Sequence, residues 1–288
     1  GNYEDDKRAI VEKYNQSGYR DAYIVSDSVY VIDDKNIGIT INVEEGNKYY
    51  FRNIDWVGNT KYDTATLNRV LGIHKGDVYN KELLQTNLTY NEGGYDVSAI
   101  YMDDGYLFFS VDPVEVRADN DSIDLEIRIY EGDQAKIGKV SVKGNTKTND
   151  HVVIREMYTK PGQLFSRSDV IRTTRELAAL GYFNAETLNP NIQPDPTDGS
   201  VDIEYIVEET SSDQIELSAG WGYNKLILTL GLTLNNFSFR NMFKKGAWTP
   251  LPGGDGQKLS LRVQTIGTQY LYYGASFTEP WLGGKKPN

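Results

Sequence analysis

The chain has 288 residues, of which 39% are hydrophobic and 12% aromatic, too apolar for a disordered polypeptide and long enough for about two domains. It holds no Cys and only two His, His74 and His151, far apart in sequence, which excludes disulfides and thiolate metal sites and argues against a histidine metal centre. The net charge of −11 argues against nucleic acid, whose phosphates an acidic surface repels.

The chain opens on Gly1-Asn2-Tyr3-Glu4 with no signal-peptide pattern, and no run of about 20 apolar residues follows that would form a transmembrane helix. Both this start and the final Gly283-Gly284-Lys285-Lys286-Pro287-Asn288 read as cuts within a longer protein. A helix over Asp6–Gln16, a Gly18-Tyr19 joint and two strands ending in Val43-Glu44-Glu45-Gly46 come first.

An internal repeat then becomes visible. Residues 45–60 (EGNKYYFRNIDWVGNT) and 131–146 (EGDQAKIGKVSVKGNT) share Glu45/Glu131, Gly46/Gly132, Gly58/Gly144, Asn59/Asn145 and Thr60/Thr146. KGDVYN (75–80) matches PGQLFS (161–166) in the same register. Each copy opens with an alternating strand: Phe51, Ile54 and Trp56 in one, Ile137, Val140 and Val142 in the other. Each strand ends in a Gly-Asn turn, at residues that tolerate positive φ.

A first helix follows, with Leu67, Val70 and Leu71, or Val152, Val153 and Met157, on its apolar face. In the second copy the next helix starts at Ser166, with Asp169 three residues on. Val170, Thr174 and Leu177 form its face and Gly181 its C-terminal glycine. Gly-Tyr recurs at this joint as Gly18-Tyr19, Gly105-Tyr106 and Gly181-Tyr182. Two strands close each unit: Leu107–Val116 with Ile123–Tyr130, and Ala185–Gln193 with Val201–Val207. The unit is therefore β-α-α-β-β. About ten additional residues in the middle copy (Asn87–Asp104) predict an added turn or a longer helix.

This pattern resembles the POTRA repeat, and the resemblance spans residues 1–209. It implies a truncated repeat over 1–46 and complete repeats over 47–132 and 133–212, with Gly58, Asn59, Gly144, Asn145, Gly181 and Tyr182 as structural turn residues.

The charge changes sign near residue 212. The segment from Asp213 has four acidic and eight basic residues, +4, so residues 1–212 hold the remaining −15. Four strictly alternating runs follow. Ile215, Leu217, Ala219, Trp221 and Tyr223 lead the first, and Leu226, Leu228, Leu230, Leu232 and Leu234 the second. Leu259, Leu261 and Val263 lead the third, and Leu271, Tyr273, Ala275 and Phe277 the fourth. Mostly polar or small residues alternate with them, with Ile227 and Tyr272 as the large exceptions. A membrane β-barrel requires this pattern, and a soluble β-sandwich shares it. Four strands are fewer than the eight that a single-chain bacterial barrel needs, and such a sheet would have two unpaired edges.

Asn235-Asn236-Phe237 and Phe277-Thr278-Glu279-Pro280-Trp281 resemble the start of the barrel in outer-membrane assembly factors of the BamA type. The fold class expected is thus α+β POTRA repeats followed by the antiparallel strands of a truncated transmembrane β-barrel over 213–288. The Gly-rich Gly246–Gly256 loop is longer than the resemblance implies.

The resemblance implies insertion of β-barrel proteins into the bacterial outer membrane, with the repeats in the periplasm. Partners would be unfolded barrel clients, accessory lipoproteins and outer-membrane lipid. Clients or partners would add to an exposed strand edge, with Tyr23–Val31, Phe108, Phe109, Ser110, Val111, Glu186, Thr187, Leu188 and Asn189 as candidates. The first barrel strand would form a seam through Ile215, Glu216, Leu217, Ser218, Ala219, Gly220, Trp221 and Gly222. Alternatives are a two-partner secretion transporter, a TamA-like factor, or a soluble periplasmic scaffold. Neither a cofactor nor catalysis is expected: Asp33-Asp34 and Asp103-Asp104 read as turns, and Asp119-Asn120-Asp121 lacks the rest of a calcium loop.

Overall fold

A computed structural model describes residues 2–284, except for Pro196, Tyr223, Ala247, Thr249 and Pro250. The chain divides into two compact units. One runs to Ala135 and includes Leu164–Ser168; the other comprises Lys136–Gln163 and the chain from Asp169 onward.

In the first unit, α1 (Tyr3–Gln16) is capped by Asn2, whose side chain accepts from the Glu4 N–H. Glu4, Asp5 and Asp6 in its first turn complement the helix dipole. Strands β1 (Tyr23–Val31) and β2 (Ile37–Glu44) form an antiparallel pair. In their turn the Asp33 carboxylate accepts from the Lys35 and Asn36 N–H groups, as its sequence context predicts.

The middle repeat contains β3 (Tyr50–Val57), α2 (Thr64–Leu71), α3 (Lys81–Thr89), α4 (Val97–Met102), β4 (Ser110–Asp119) and β5 (Ser122–Tyr130). Its sheet order is β3-β5-β4, with β3 parallel and β4 antiparallel to β5. Apolar residues of β5 (Ile123, Leu125, Ile127) pack with Phe51, Leu67, Leu71, Leu88 and Tyr101 in one core. Asn120, at φ 55°, makes the β4–β5 hairpin, so Asp119-Asn120-Asp121 is a turn.

The additional residues of this repeat build both a turn and a separate helix, α4. Asp96, fully buried, caps that helix through the Ala99 N–H and accepts from the Asn91 N–H. It also receives Arg167, 3.1 and 3.2 Å away, and Arg167 lies over the Tyr90 ring. Asp103 accepts from the Ser168 N–H and hydroxyl. Asp103 is therefore more than a solvated turn residue: the insert holds the Leu164–Ser168 segment within this unit.

The second unit repeats the topology with β6 (Lys136–Lys143), α5 (Asp150–Ile154), α6 (Arg167–Ala179, shared at its start with the first unit), β7 (Asn189–Asp195) and β8 (Ser200–Ile206), in the order β6-β8-β7. On α6 the buried face is Val170, Thr173 and Leu177; Thr173 rather than Thr174 turns inward and accepts from the Tyr158 N–H. Beyond it lies a four-stranded antiparallel sheet, β12-β11-β10-β9, from β9 (Gln214–Gly222), β10 (Lys225–Phe237), β11 (Gln257–Ile266) and β12 (Tyr270–Thr278).

The two complete repeats close in the same way. Gly58 (φ +90°) and Gly144 (φ +103°) bring the chain so close to the last strand that a Cβ would lie 2.2 Å from the Ile129 carbonyl oxygen and 1.9 Å from that of Val207. Only glycine fits. Asn59 and Asn145 each donate across three residues, to Tyr62 and Thr148 carbonyls.

A glutamate just past the last strand then locks the turn. Glu131 accepts from the Thr60 N–H and hydroxyl and from the Lys61 N–H. Glu209 accepts from the Thr146 hydroxyl and the Lys147 and Thr148 N–H groups. Burial pushes both carboxyl pKa values up, but these donors outweigh it and leave both below the usual glutamate range.

A carboxyl whose folded pKa is depressed stabilises the fold fully above its ordinary pKa, and that contribution is lost as pH falls through the folded pKa. The double substitution Glu131→Gln/Glu209→Gln should lower the urea midpoint at pH 7. It should also flatten the decline in stability below about pH 4.5. An acid limb as steep as that of the parent chain would contradict this assignment.

Candidate functional site: sheet edges, an apolar face and a clamped loop

The register of the four-stranded sheet decides what its alternation means. Directly opposed residues share a face. The pairs Leu226–Trp221, Leu228–Ala219, Leu230–Leu217 and Leu232–Ile215 join β10 to β9. On the other side Leu230–Val263, Leu232–Leu261 and Leu234–Leu259 join β10 to β11, and Leu259–Phe277, Leu261–Ala275 and Val263–Tyr273 continue to β12.

Four separate apolar rows thus merge into one face, most of whose large side chains are exposed. The other face carries Glu216, Ser218, Thr229, Gly231, Ser260, Arg262, Gln264, Gly274 and Ser276, with Ile227, Ile266, Tyr270 and Tyr272 toward the hairpin end. On it Arg262 lies 3.5 Å from Glu216. Tyr223, expected at the end of the first row, lies outside the described residues.

Strands β9 and β12 are the edges of this sheet. All eight seam candidates, Ile215 to Gly222, lie on β9. A Cβ at Gly220 would meet nothing within 4 Å, so no neighbour requires glycine there. At Gly222 a Cβ would approach only the end of the Ile227 side chain, at 2.9 Å.

In the repeats, β1, β2, β3, β4, β6 and β7 all lie at sheet edges, and the expected client edges β1, β4 and β7 are among them. Of the candidate edge residues, Ser110 and Val111 lie on β4 and Asn189 on β7. The expected strand starts at Leu107 and Ala185 are too early. Phe109 is buried, stacked on Tyr101 at 4.3 Å, and Phe108 precedes the strand. The Glu186 N–H donates to the Asn184 side chain in a turn, Thr187 bonds back to the Asn184 carbonyl, and Leu188 is buried. Core packing and local turn bonds therefore claim four of the eight residues, and exposed Phe108 lies before the strand.

The edges also differ in their free donors. The Val207 N–H bonds to Lys143 on β6, so odd-numbered β8 residues face β6 and even-numbered ones face β7. The β7 partners of the latter are Asn189, Asn191, Gln193 and Asp195, which leaves Pro190, Ile192 and Pro194 pointing outward. Two of three outward positions on β7 thus lack an N–H. By the same argument from the Tyr50 N–H bond to Asp121, the outward residues of β4 include Val111, Pro113 and Glu115, only one of them proline. β1 has no proline.

The β10–β11 connection is clamped to the third repeat inside the second unit. Asp255, buried, accepts from the Ser238 hydroxyl at 2.5 Å and from the Asn149 amide at 2.8 Å. The Asn149 N–H donates to the Gly254 carbonyl, Asn236 donates to the Thr148 hydroxyl, and the Tyr182 hydroxyl donates to the Gly256 carbonyl. A Cβ at Gly254 would lie 2.5 Å from the Lys147 carbonyl oxygen, and one at Gly256 2.9 Å from Val152. Farther along, Trp281 donates to Glu156 and lies under Arg155.

In sequence the Gly246–Gly256 loop stands out only by its length; the Gly-Gly-Asp-Gly spacing (253–256) is the feature that could have marked this clamp, because glycine permits close backbone approach and a flanked aspartate can be held by several donors. Among the described residues no group of three or more His, Asp or Glu could hold a metal ion.

The POTRA family model, described as surface antigen variable number repeat, matches residues 49–132 and 135–210, more than half of the chain. This chain belongs to the POTRA family. The POTRA repeats and the following strands are together similar to the outer membrane protein assembly factor BamA of Neisseria meningitidis serogroup B. That protein is 25% identical over 96% of this chain and 32% of its own length.

A crystal structure of Haemophilus influenzae BamA POTRA3–5 matches 73% of this chain and 81% of that one, with a TM-score of 0.58 and 25% identity. A crystal structure of Haemophilus ducreyi BamA lacking POTRA domains 1–3 matches 81% of this chain and 40% of that one. Its TM-score is 0.64 at 24% identity, a likeness of fold. The chain spans about a quarter to a third of the length of the first curated relatives it matches.

Removing the Asp255 carboxylate would strand the buried Ser238 hydroxyl and release the Asn149 amide, a loss of about 3 kcal/mol for charge-assisted bonds. Asp255→Ala should therefore speed hydrogen exchange of the Asn149, Gly254 and Gly256 amides by about a hundredfold while leaving Phe51 unchanged. Unchanged protection at these three amides would show that the loop holds without the carboxylate.

Proposed function

We propose that this POTRA chain belongs to a machine that assembles β-barrel proteins in the bacterial outer membrane. In this reading the β9–β12 sheet is the beginning of a membrane barrel and the repeats lie in the periplasm. The observation that supports it most is the single apolar face of the four-stranded sheet, joined to repeats whose edge strands are open. The names of its BamA relatives point the same way. An exposed apolar face of this kind suits lipid, with the polar face turned to the barrel lumen.

Unfolded barrel clients, or accessory lipoproteins of an assembly complex, would pair with strand edges through backbone hydrogen bonds, a recognition mode tolerant of sequence. The proline count supports an order among the edges: β1 and β4 are the receptive ones, and the two outward prolines of β7 protect the repeat nearest the membrane against mispairing. β9 would be the lateral seam. Gly220, which no steric neighbour demands, weakens its pairing with β10 and so favours its opening toward a client.

A photo-cross-linker placed at Val111 on β4 should capture an unfolded barrel client, whereas one at Ile192 on β7 should not. Pro190→Ala/Pro194→Ala restores two outward donors and should raise capture at Ile192 toward that at Val111. Equal capture at both sites in the parent chain, or none at either, would contradict edge pairing as the mode of binding.

A further inference from the structure

The β10–β11 connection carries a cluster that neither the clamp nor the strand edges use. From Phe237 to Gly254 the sequence contains Arg240, Lys244 and Lys245 and no acidic residue, within a chain whose net charge is −11. Phe239, Phe243 and Trp248 in the same stretch are 53%, 74% and 54% exposed. They form an organised group: Phe239 and Phe243 meet edge to face at 5.4 Å, and the Trp248 indole N–H donates to the Met242 carbonyl. Arg240, Lys244 and Lys245 are exposed, with no ion pair among the described residues.

Two features fix where this cluster stands. Phe239 packs edge to face on Phe277, at 6.2 Å, and Phe277 opposes Leu259 on the apolar face. The aromatic group therefore continues that face. The cluster also sits at the end of the sheet where β10 finishes and β9 begins, which is the end at which the third repeat enters. The opposite end has short hairpins with Trp221 and Tyr270 exposed, and there, among the described residues, Lys225 stands over the Tyr270 ring and bonds to Gln269.

We infer that Phe239, Arg240, Phe243, Lys244, Lys245 and Trp248 form an interfacial anchor that binds anionic phospholipid in the bilayer leaflet on the repeat side of the sheet. Aromatic side chains settle at the boundary between hydrocarbon and headgroups, and cations beside them pair with lipid phosphates. Each such cation near an anionic surface contributes about fivefold in partitioning. The continuity of its aromatic group with the exposed apolar face favours a membrane surface over a protein. The inference rests on the reading that the sheet spans a membrane.

The absence of Cys permits single-site spin labels at Lys245→Cys and, separately, at Leu230→Cys on the apolar face. The full chain is placed in vesicles of phosphatidylethanolamine with phosphatidylglycerol, or with phosphatidylcholine, and label depth is read from collisions with oxygen and with a nickel chelate. The Leu230 label should lie in hydrocarbon in both lipids. The Lys245 label should lie among the headgroups with phosphatidylglycerol and become aqueous with phosphatidylcholine. Arg240→Glu/Lys244→Glu should release it, and so, independently, should Phe243→Ser.

A Lys245 label that stays aqueous while the Leu230 label is buried overturns the anchor and leaves the spanning sheet intact. Headgroup depth that ignores both lipid charge and charge reversal also overturns it. Shielding produced only by an unfolded barrel client, without vesicles, reassigns the cluster to protein. Aqueous labels at both positions overturn the spanning sheet and the anchor together.

Discussion

A β-strand displays backbone donors and acceptors along both edges and side chains on both faces, and these two facts organise the whole chain. Where a strand has a neighbour, the register decides which side chains share a face; a slip of one residue would turn every leucine of β10 to the polar side. The pairing of Leu230 with both Leu217 and Val263 is therefore what converts alternation into an apolar surface. Where a strand has one open side, its free donors become the feature of interest, and β1, β4, β7, β9 and β12 are among the strands with such a side.

The repeats solve a different problem with few residues. After the first strand the chain must turn against the carbonyls of the last, and glycine at 58 and 144 allows that approach. The turn then exposes N–H groups, which Glu131 and Glu209 satisfy from the end of the same last strand. Beginning and end of each repeat are thereby tied by one short-range device. In the third repeat the same loop also receives Gly254 and Asp255, so the residues that close the repeat continue into the clamp on the β10–β11 connection.

Much of this was legible in the residues. Alternation from Ile215 to Phe277 located the four strands, and the recurrence of Glu-Gly, Gly-Asn-Thr and Gly-Tyr located the repeats. The sequence places the starts of β4 and β7 too early because Phe108-Phe109 and Leu188 look like strand residues, while Phe109 and Leu188 are drawn inward by the core. The recurring glutamate was visible as a marker, but its role depends on groups some 60 to 70 residues away that only the folded chain brings near. Asp96 and Asp103 were equally opaque, because their partners, Arg167 and Ser168, lie far along the sequence. Pro194 reads in sequence as part of the turn after Gln193; its place on β7 beside Pro190, and the outward direction of both, required the pairing and bonding parity of β8.

The central claim is that the face built by Ile215, Leu217, Leu228, Leu230, Leu261 and Phe277 is made for lipid. Its most direct test compares the chain ending at residue 209 with the full 288 residues, each by sedimentation with and without detergent. The account predicts that residues 1–209 sediment as a soluble monomer in both conditions, while the full chain aggregates without detergent and is dispersed by it. A full chain that remains a monomer in plain buffer and melts cooperatively would make the sheet a soluble domain and contradict the account.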